Sequence, residues 1–183
     1  MNRHPRLLAR EQRARRRRAR RRILGAALPS AAQVITLSSH ALSTVTDSDP
    51  EILRLIRDLA AIGWHSHYAD YPGLPPDAAV AADDSEFTHQ ALLVGLDRHL
   101  RHRLSHRQRR RVKVHTEPLA MVIDRLVCLA ITHNVLAVAG DSHSGVRELD
   151  TALADLALGY DQLVADLVTG RRRQPRFAIS RAI

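Results

Sequence analysis

The residues whose types and spacing can do chemistry fall into three groups. The stretch "WHSHYAD" (64–70) carries His65, His67 and Asp70. On a helix His67 and Asp70 stand at i and i+3 and can both reach one metal ion, whereas His65 and His67 point apart. His89, Asp124 and His133 can complete such a site inside a helical bundle, as helix-borne ligands do in carboxylate-bridged metal proteins. An inward-facing histidine more often satisfies a hydrogen bond than a metal, so no metal is favoured and no cofactor is assigned. Asp124 and Arg125 are the odd charges on an otherwise apolar segment. Neighbours on a helix diverge by ~100°, so these two are expected to be buried polar residues that pair with other helices rather than with each other. The "GDSHSG" stretch (140–145) sets Ser beside His, but in a helix–helix connection where Asp and Ser suit a helix start. No P-loop or dinucleotide fingerprint is present. Catalytic residues stay unassigned, and the sequence leans away from an enzyme.

The third group is cationic. Arg13, Arg15, Arg16, Arg17, Arg18, Arg20, Arg21 and Arg22 crowd one stretch near the start of the chain. Arg98, Arg101, His102, Arg103, Arg107, Arg109, Arg110 and Arg111 form a second cluster, and Arg171, Arg172 and Arg173 a third. Lys113 is the single lysine, the net charge is +9 and the isoelectric point is about 11.1. Guanidinium forks match phosphate oxygens, so the chemistry expected of these clusters is phosphate neutralisation on DNA or RNA. A coding bias toward arginine yields the same preference over lysine, so the preference alone proves nothing. His99, His102 and His106 stand at i, i+3 and i+7 beside these arginines. They add charge below pH ~6.5, the ordinary imidazole value. Aromatics make up only 3% of the chain, too few for base-stacking platforms, so contact with nucleic acid should be backbone-directed and sequence-tolerant.

These groups need elements to position them. With few aromatics, the core must come from Leu, Ala, Val and Ile, which favours helices. "DSDPEILRLIRDLAAIGWHSHYADYPG" opens with Asp49 as N-cap and Pro50 in the first turn, and Ile52, Leu55, Ile56, Leu59 and Ile62 make one stripe. A second helix starts near "DDSEF" and carries Phe87, Leu93, Val94, Leu96, Leu100 and Leu104 inward. From Leu119 to Val138 the chain is apolar almost all round, which predicts a central helix. A fourth runs from about Ser144 to Thr169 along Leu149, Leu153, Leu156, Tyr160, Leu163 and Leu167, with Gly170 as its stop. The expected architecture is an all-α, antiparallel four-helix bundle with a basic N-terminal arm or helix. Its parts are an arginine-rich arm (1–25), a connector (26–47), the bundle (48–174) and a C-terminal tail (175–183). Such a bundle gathers the ends of its second and fourth helices, and with them all three arginine clusters, at one pole.

Cys128 is the single cysteine, which excludes disulfide frameworks within one chain and suits a reducing, cytoplasmic setting. By this reading no apolar run reaches the ~18–20 residues that a membrane span needs. Pro29, Ser30 and Gln33 interrupt the apolar stretch behind the arginines, against a secretory leader.

Two stretches carry a family resemblance. "HTEPLAMVIDRLVCLA" (115–130) and "LADLALGYDQLVADLVTGRRRQP" (153–175) are similar to motifs of an uncharacterised bacterial helical family, domain of unknown function number 4254. The "LAAIGWHSHYAD" stretch (59–70) loosely resembles an early helix of that family. Ala120 stands where that family has Gly and Pro118 where it has Thr. The resemblance implies an all-α domain and carries no activity, and it does not extend to the arginine arm. The reading is a non-enzymatic nucleic-acid-binding protein, such as a ribonucleoprotein subunit with other protein partners or a mobile-element accessory factor. Two alternatives stand beside it: a metal-dependent enzyme with a site in the bundle core, and a scaffold module with an acidic partner.

Overall fold

The computed structural model describes residues 28–39, 51–70, 85–104, 112–139 and 143–176, with side chains at 65–70, 85–87, 139, 143 and 144 left aside. Helices dominate them: α1 (Ala31–Ser39), α2 (Glu51–Asp70), α3 (Ser85–Leu104), α4 (Leu119–Ala139) and α5 (His143–Thr169). Two short strands, β1 (Lys113–Val114) and β2 (Arg172–Arg173), complete the order. The all-α class is as the composition requires.

The central position expected of the Leu119–Val138 segment is observed. Helix α4 packs against α1, α2, α3 and α5, and Leu119, Ala120, Ile123, Leu126 and Ile131 are fully buried in it. This corrects one expectation: Leu119–Val138 is long and apolar enough to cross a membrane by length and composition, despite Asp124 and Arg125. Here part of its apolar surface meets neighbouring helices, while Val138 at its end is exposed.

Helices α2 and α3 run antiparallel, since Leu55 meets Gly95 and Glu51 feels the charge of His99. Their buried residues follow helical spacing: Ile52, Leu55, Ile56 and Leu59 on α2, and Leu93, Leu96, Leu100 and Leu104 on α3. Where α2 crosses α4, Gly63 allows close approach. A Cβ there would lie 2.7 Å from Ile131 Cδ1.

Helix α1 lies inside the segment read as a connector. Ser30 and Gln33 form a capping box: the Gln33 N–H donates to Ser30 Oγ (3.3 Å) and the Ser30 N–H to Gln33 Oε1 (3.0 Å). A third N–H, that of Ala31, donates to Asp161 Oδ1 at 2.9 Å. Leu28, Ala31 and Val34 are buried. Ser38 is buried too, its hydroxyl donating to the Val34 carbonyl at 2.8 Å. Trp64 Nε1 donates to the Ser38 carbonyl (2.7 Å), and Tyr160 Oη, fully buried, donates to the Pro29 carbonyl (2.9 Å).

Gly170 ends α5 as the sequence implies. It takes φ 72°, and the Gly170 N–H reaches the Leu167 carbonyl while the Arg171 N–H reaches that of Asp166, at 3.2 and 2.8 Å. This is a Schellman closure, which requires the left-handed residue that glycine supplies without strain. It turns the chain so that β2 pairs in parallel with β1, Lys113 opposite Arg172 and Val114 opposite Arg173. The His115 N–H extends the pairing to the Arg173 carbonyl (2.9 Å).

Candidate functional site

The strand pair brings together the C-terminal end of α5 and the N-terminal end of α4, and the C-terminal end of α3 lies beside them. Arg101 fastens them: its Nη1 donates to the Pro175 carbonyl at 2.8 Å, and its Nε to Asp97 at 2.6 Å. Arg98, His102 and Arg103 are exposed on the last turns of α3. Lys113 and Arg172, paired in the strands, are exposed as well, as is Arg171. These five cations and His102 therefore share one end of the described helices. Arg101 and Arg173 differ from the other expected phosphate contacts. Arg101 is committed to internal partners, and Arg173 has its Nε buried. The arm arginines 13–22, and Arg107, Arg109, Arg110 and Arg111, lie outside the described residues.

Carboxylates temper this end. Asp166 is buried and receives Arg172 Nε at 3.3 Å and Arg171 Nη1 at 3.6 Å. Gln162 Nε2 donates to it from one turn earlier, at 3.4 Å. Arg125 corrects a prediction. Its side chain is 59% exposed and pairs with Glu117 in the turn before α4 rather than being buried against another helix.

Between the start of α4 and the end of α5 lies an open groove of about 380 Å³. Arg125, Glu117 and His115 line it from one side, Gln162, Asp166 and Arg172 from the other, above Leu156 and Leu163. His115 Nδ1 sits 2.9 Å from the Glu117 carbonyl. That contact is a hydrogen bond when Nδ1 carries the proton, which leaves Nε2 as the acceptor. Burial lowers the His115 pKa, and the Arg172 and Arg125 charges lower it further, so the ring is neutral at neutral pH. The sequence reading missed His115, Glu117, Gln162 and Asp166 as a set. The one signal available was polar residues placed at both ends of apolar helices.

The metal candidates separate. Asp124 pairs with another helix as expected, Oδ1 lying 2.9 Å from His89 Nε2 on α3. His133 instead meets Asp150 on α5, at 2.8 Å. The side chains of His67 and Asp70 lie outside the description. Among the described residues, no three His, Cys, Asp or Glu side chains gather as a metal would require.

Cys128 is surface-accessible, yet local burial and the neighbouring Asp124 charge push its thiol from 9.0 up to about 11. Thiolate is the reacting form. Alkylation by iodoacetamide at pH 8 should therefore be about a hundredfold slower in the folded protein than in denaturant, the ratio that two pKa units imply. Equal rates in the two states would contradict this environment.

The chain as a whole matches no protein-family model, no curated protein and no solved structure.

Proposed function

We propose that this protein is a non-enzymatic, cytoplasmic nucleic-acid-binding protein that holds phosphate backbones without sequence preference. In this reading α2, α3, α4 and α5 form an antiparallel four-helix bundle with α1 laid along it, and the arginine arm (1–25) extends the cationic surface. The observation that carries the reading is the Arg101 clasp on the Pro175 carbonyl. It ties the end of α3, with Arg98, His102 and Arg103, to the strand bearing Arg172. Separate clusters in sequence thus become one surface, and clustered guanidinium groups are the footprint of phosphate binding. A place as a ribonucleoprotein subunit or a mobile-element accessory factor suits such a surface, and so does kinship with the uncharacterised helical family that residues 115–130 and 153–175 resemble.

A salt titration tests it. The logarithm of the association constant should fall linearly with the logarithm of salt concentration, by about 0.9 per phosphate engaged on duplex DNA and about 0.7 on a single strand. Deleting residues 1–25 should weaken binding and flatten the slope. A slope near zero would sink the reading, and unchanged affinity after the deletion would remove the arm from it. The bundle-core metal enzyme has no comparable support, because His89 and His133 each engage a different carboxylate.

A further inference from the structure

We propose that the groove between the start of α4 and the end of α5 binds a single nucleotide, with its phosphate between Arg125 and Arg172. The inference rests on the nucleic-acid reading for the choice of a nucleotide over other phosphorylated polyols, and otherwise stands on the groove itself.

The groove has the size and make-up of a small-molecule site. At about 380 Å³ it falls within the ~300–1,000 Å³ of typical ligand clefts, which combine an apolar floor with a few placed polar groups. Its cations have capacity to spare. Arg125 engages Glu117 through Nη2, and Arg172 engages Asp166 through Nε. A guanidinium carries five donors, so each arginine retains N–H groups for a phosphate while its carboxylate keeps it in place. Both arginines line the same groove as His115, one from each side, and both charges reach that ring.

The carboxylates decide the class of ligand. Two lining arginines face Glu117 and Asp166, with Arg171 also on Asp166 and His115 neutral, so the groove carries about one net positive charge rather than a strongly cationic field. A bare polyanion gains little there, because each phosphate it adds also meets a carboxylate. A ligand with one phosphate and several N–H or O–H donors gains from both: the phosphate takes the guanidinium groups, and sugar hydroxyls or exocyclic amines donate to Glu117 and Asp166. Gln162 both donates and accepts, and Leu156 and Leu163 offer an apolar face to a base. A mononucleotide, or one nucleotide at the end of a single strand, carries that combination. The backbone of a duplex does not, since its bases are turned away from its phosphates.

The test is calorimetric titration of the full chain with each of the four ribonucleoside monophosphates, inorganic phosphate and the matching nucleosides. At least one monophosphate should bind saturably. Inorganic phosphate and the nucleoside should each bind about tenfold or more weakly, since each lacks half of the contacts. Arg125→Gln should weaken nucleotide binding by about tenfold or more, the scale of a lost charge-assisted contact. Its side chain is more than half exposed, and an unchanged thermal midpoint would show the variant folded. Arg172→Lys, which keeps the charge and loses the fork, is the second variant and should also weaken it. Arg98→Gln/Arg103→Gln, outside the groove, should leave mononucleotide affinity unchanged and weaken an oligonucleotide. The groove inference fails if no monophosphate binds up to roughly 10 mM, where the binding free energy is below about 3 kcal/mol, or if binding ignores Arg125→Gln. Oligonucleotide binding that persists in either case leaves the broader reading intact. Mononucleotide binding without salt-dependent oligonucleotide binding keeps the groove and discards that broader reading.

Discussion

Leu126→Ala should lower the free energy of unfolding by about 3–5 kcal/mol, the range for a leucine deleted from a rigid core. Leu126 is fully buried on α4, the helix touched by α1, α2, α3 and α5. Removing its isopropyl group leaves a void in the helix that four others pack against, where the surroundings can relax only in part. For a chain of this length that is roughly a 10 °C fall in the thermal midpoint. Leu158→Ala is the control. That side chain is 73% exposed on α5, and its loss should change stability by no more than ~0.5 kcal/mol. Differential scanning calorimetry of the two variants separates the cases. Equal midpoints would mean that α4 is not the hub of the fold.

Arg101→Leu should cost about 3 kcal/mol, the scale for breaking a buried ion pair from one side. Asp97 is almost wholly inaccessible and takes the Arg101 Nε at 2.6 Å. With the guanidinium gone, a buried carboxylate loses the charge-assisted bond it receives at 2.6 Å, and the Pro175 carbonyl loses the Arg101 donor. Adding Asp97→Leu to Arg101→Leu should recover part of the loss, because the stranded charge goes too. Denaturant unfolding of both singles and the double closes the cycle. A double variant less stable than Arg101→Leu alone would show that Asp97 is not the group left stranded. Arg103→Leu, two residues away and exposed, should leave stability within ~0.5 kcal/mol and weaken nucleic-acid binding instead. Neighbouring arginines of one cluster thus divide between an internal clasp and an exposed surface.

That division was not legible in the sequence. Arg101 and Arg103 look alike in a run of arginines, and only the contact with Pro175, far along the chain, distinguishes them. Long elements with strong periodicity were legible: all-round apolarity announced α4 as central, and Gly170 announced the end of α5. Helix α1 was hidden because its nine residues include serines and a threonine, poor helix formers that a pattern search discounts. It is held by its capping box and by the contacts of Ser38, Trp64 and Tyr160, which are tertiary. The two strands were hidden for a related reason. Each is two residues long and charged or exposed, and each exists only because the other lies beside it. The groove inherits this. Glu117 and Asp166 lie far apart in sequence, and the β1–β2 pairing and the turn at Gly170 bring their helix ends together.

The bonds from Tyr160 to Pro29 and from Ala31 to Asp161 span about 130 residues. During synthesis α1 is made early, yet the partner that secures its first turn emerges from the ribosome only after Asp161. At ~5–20 residues per second, α1 waits roughly 7–26 seconds for that partner. Through that interval α1 has α2 and then α4 beside it, but not the two hydrogen bonds that α5 supplies. The last described helix therefore acts as a timer on the first, and a nascent chain stopped before residue 160 should leave the start of α1 without the two long-range hydrogen bonds that secure it.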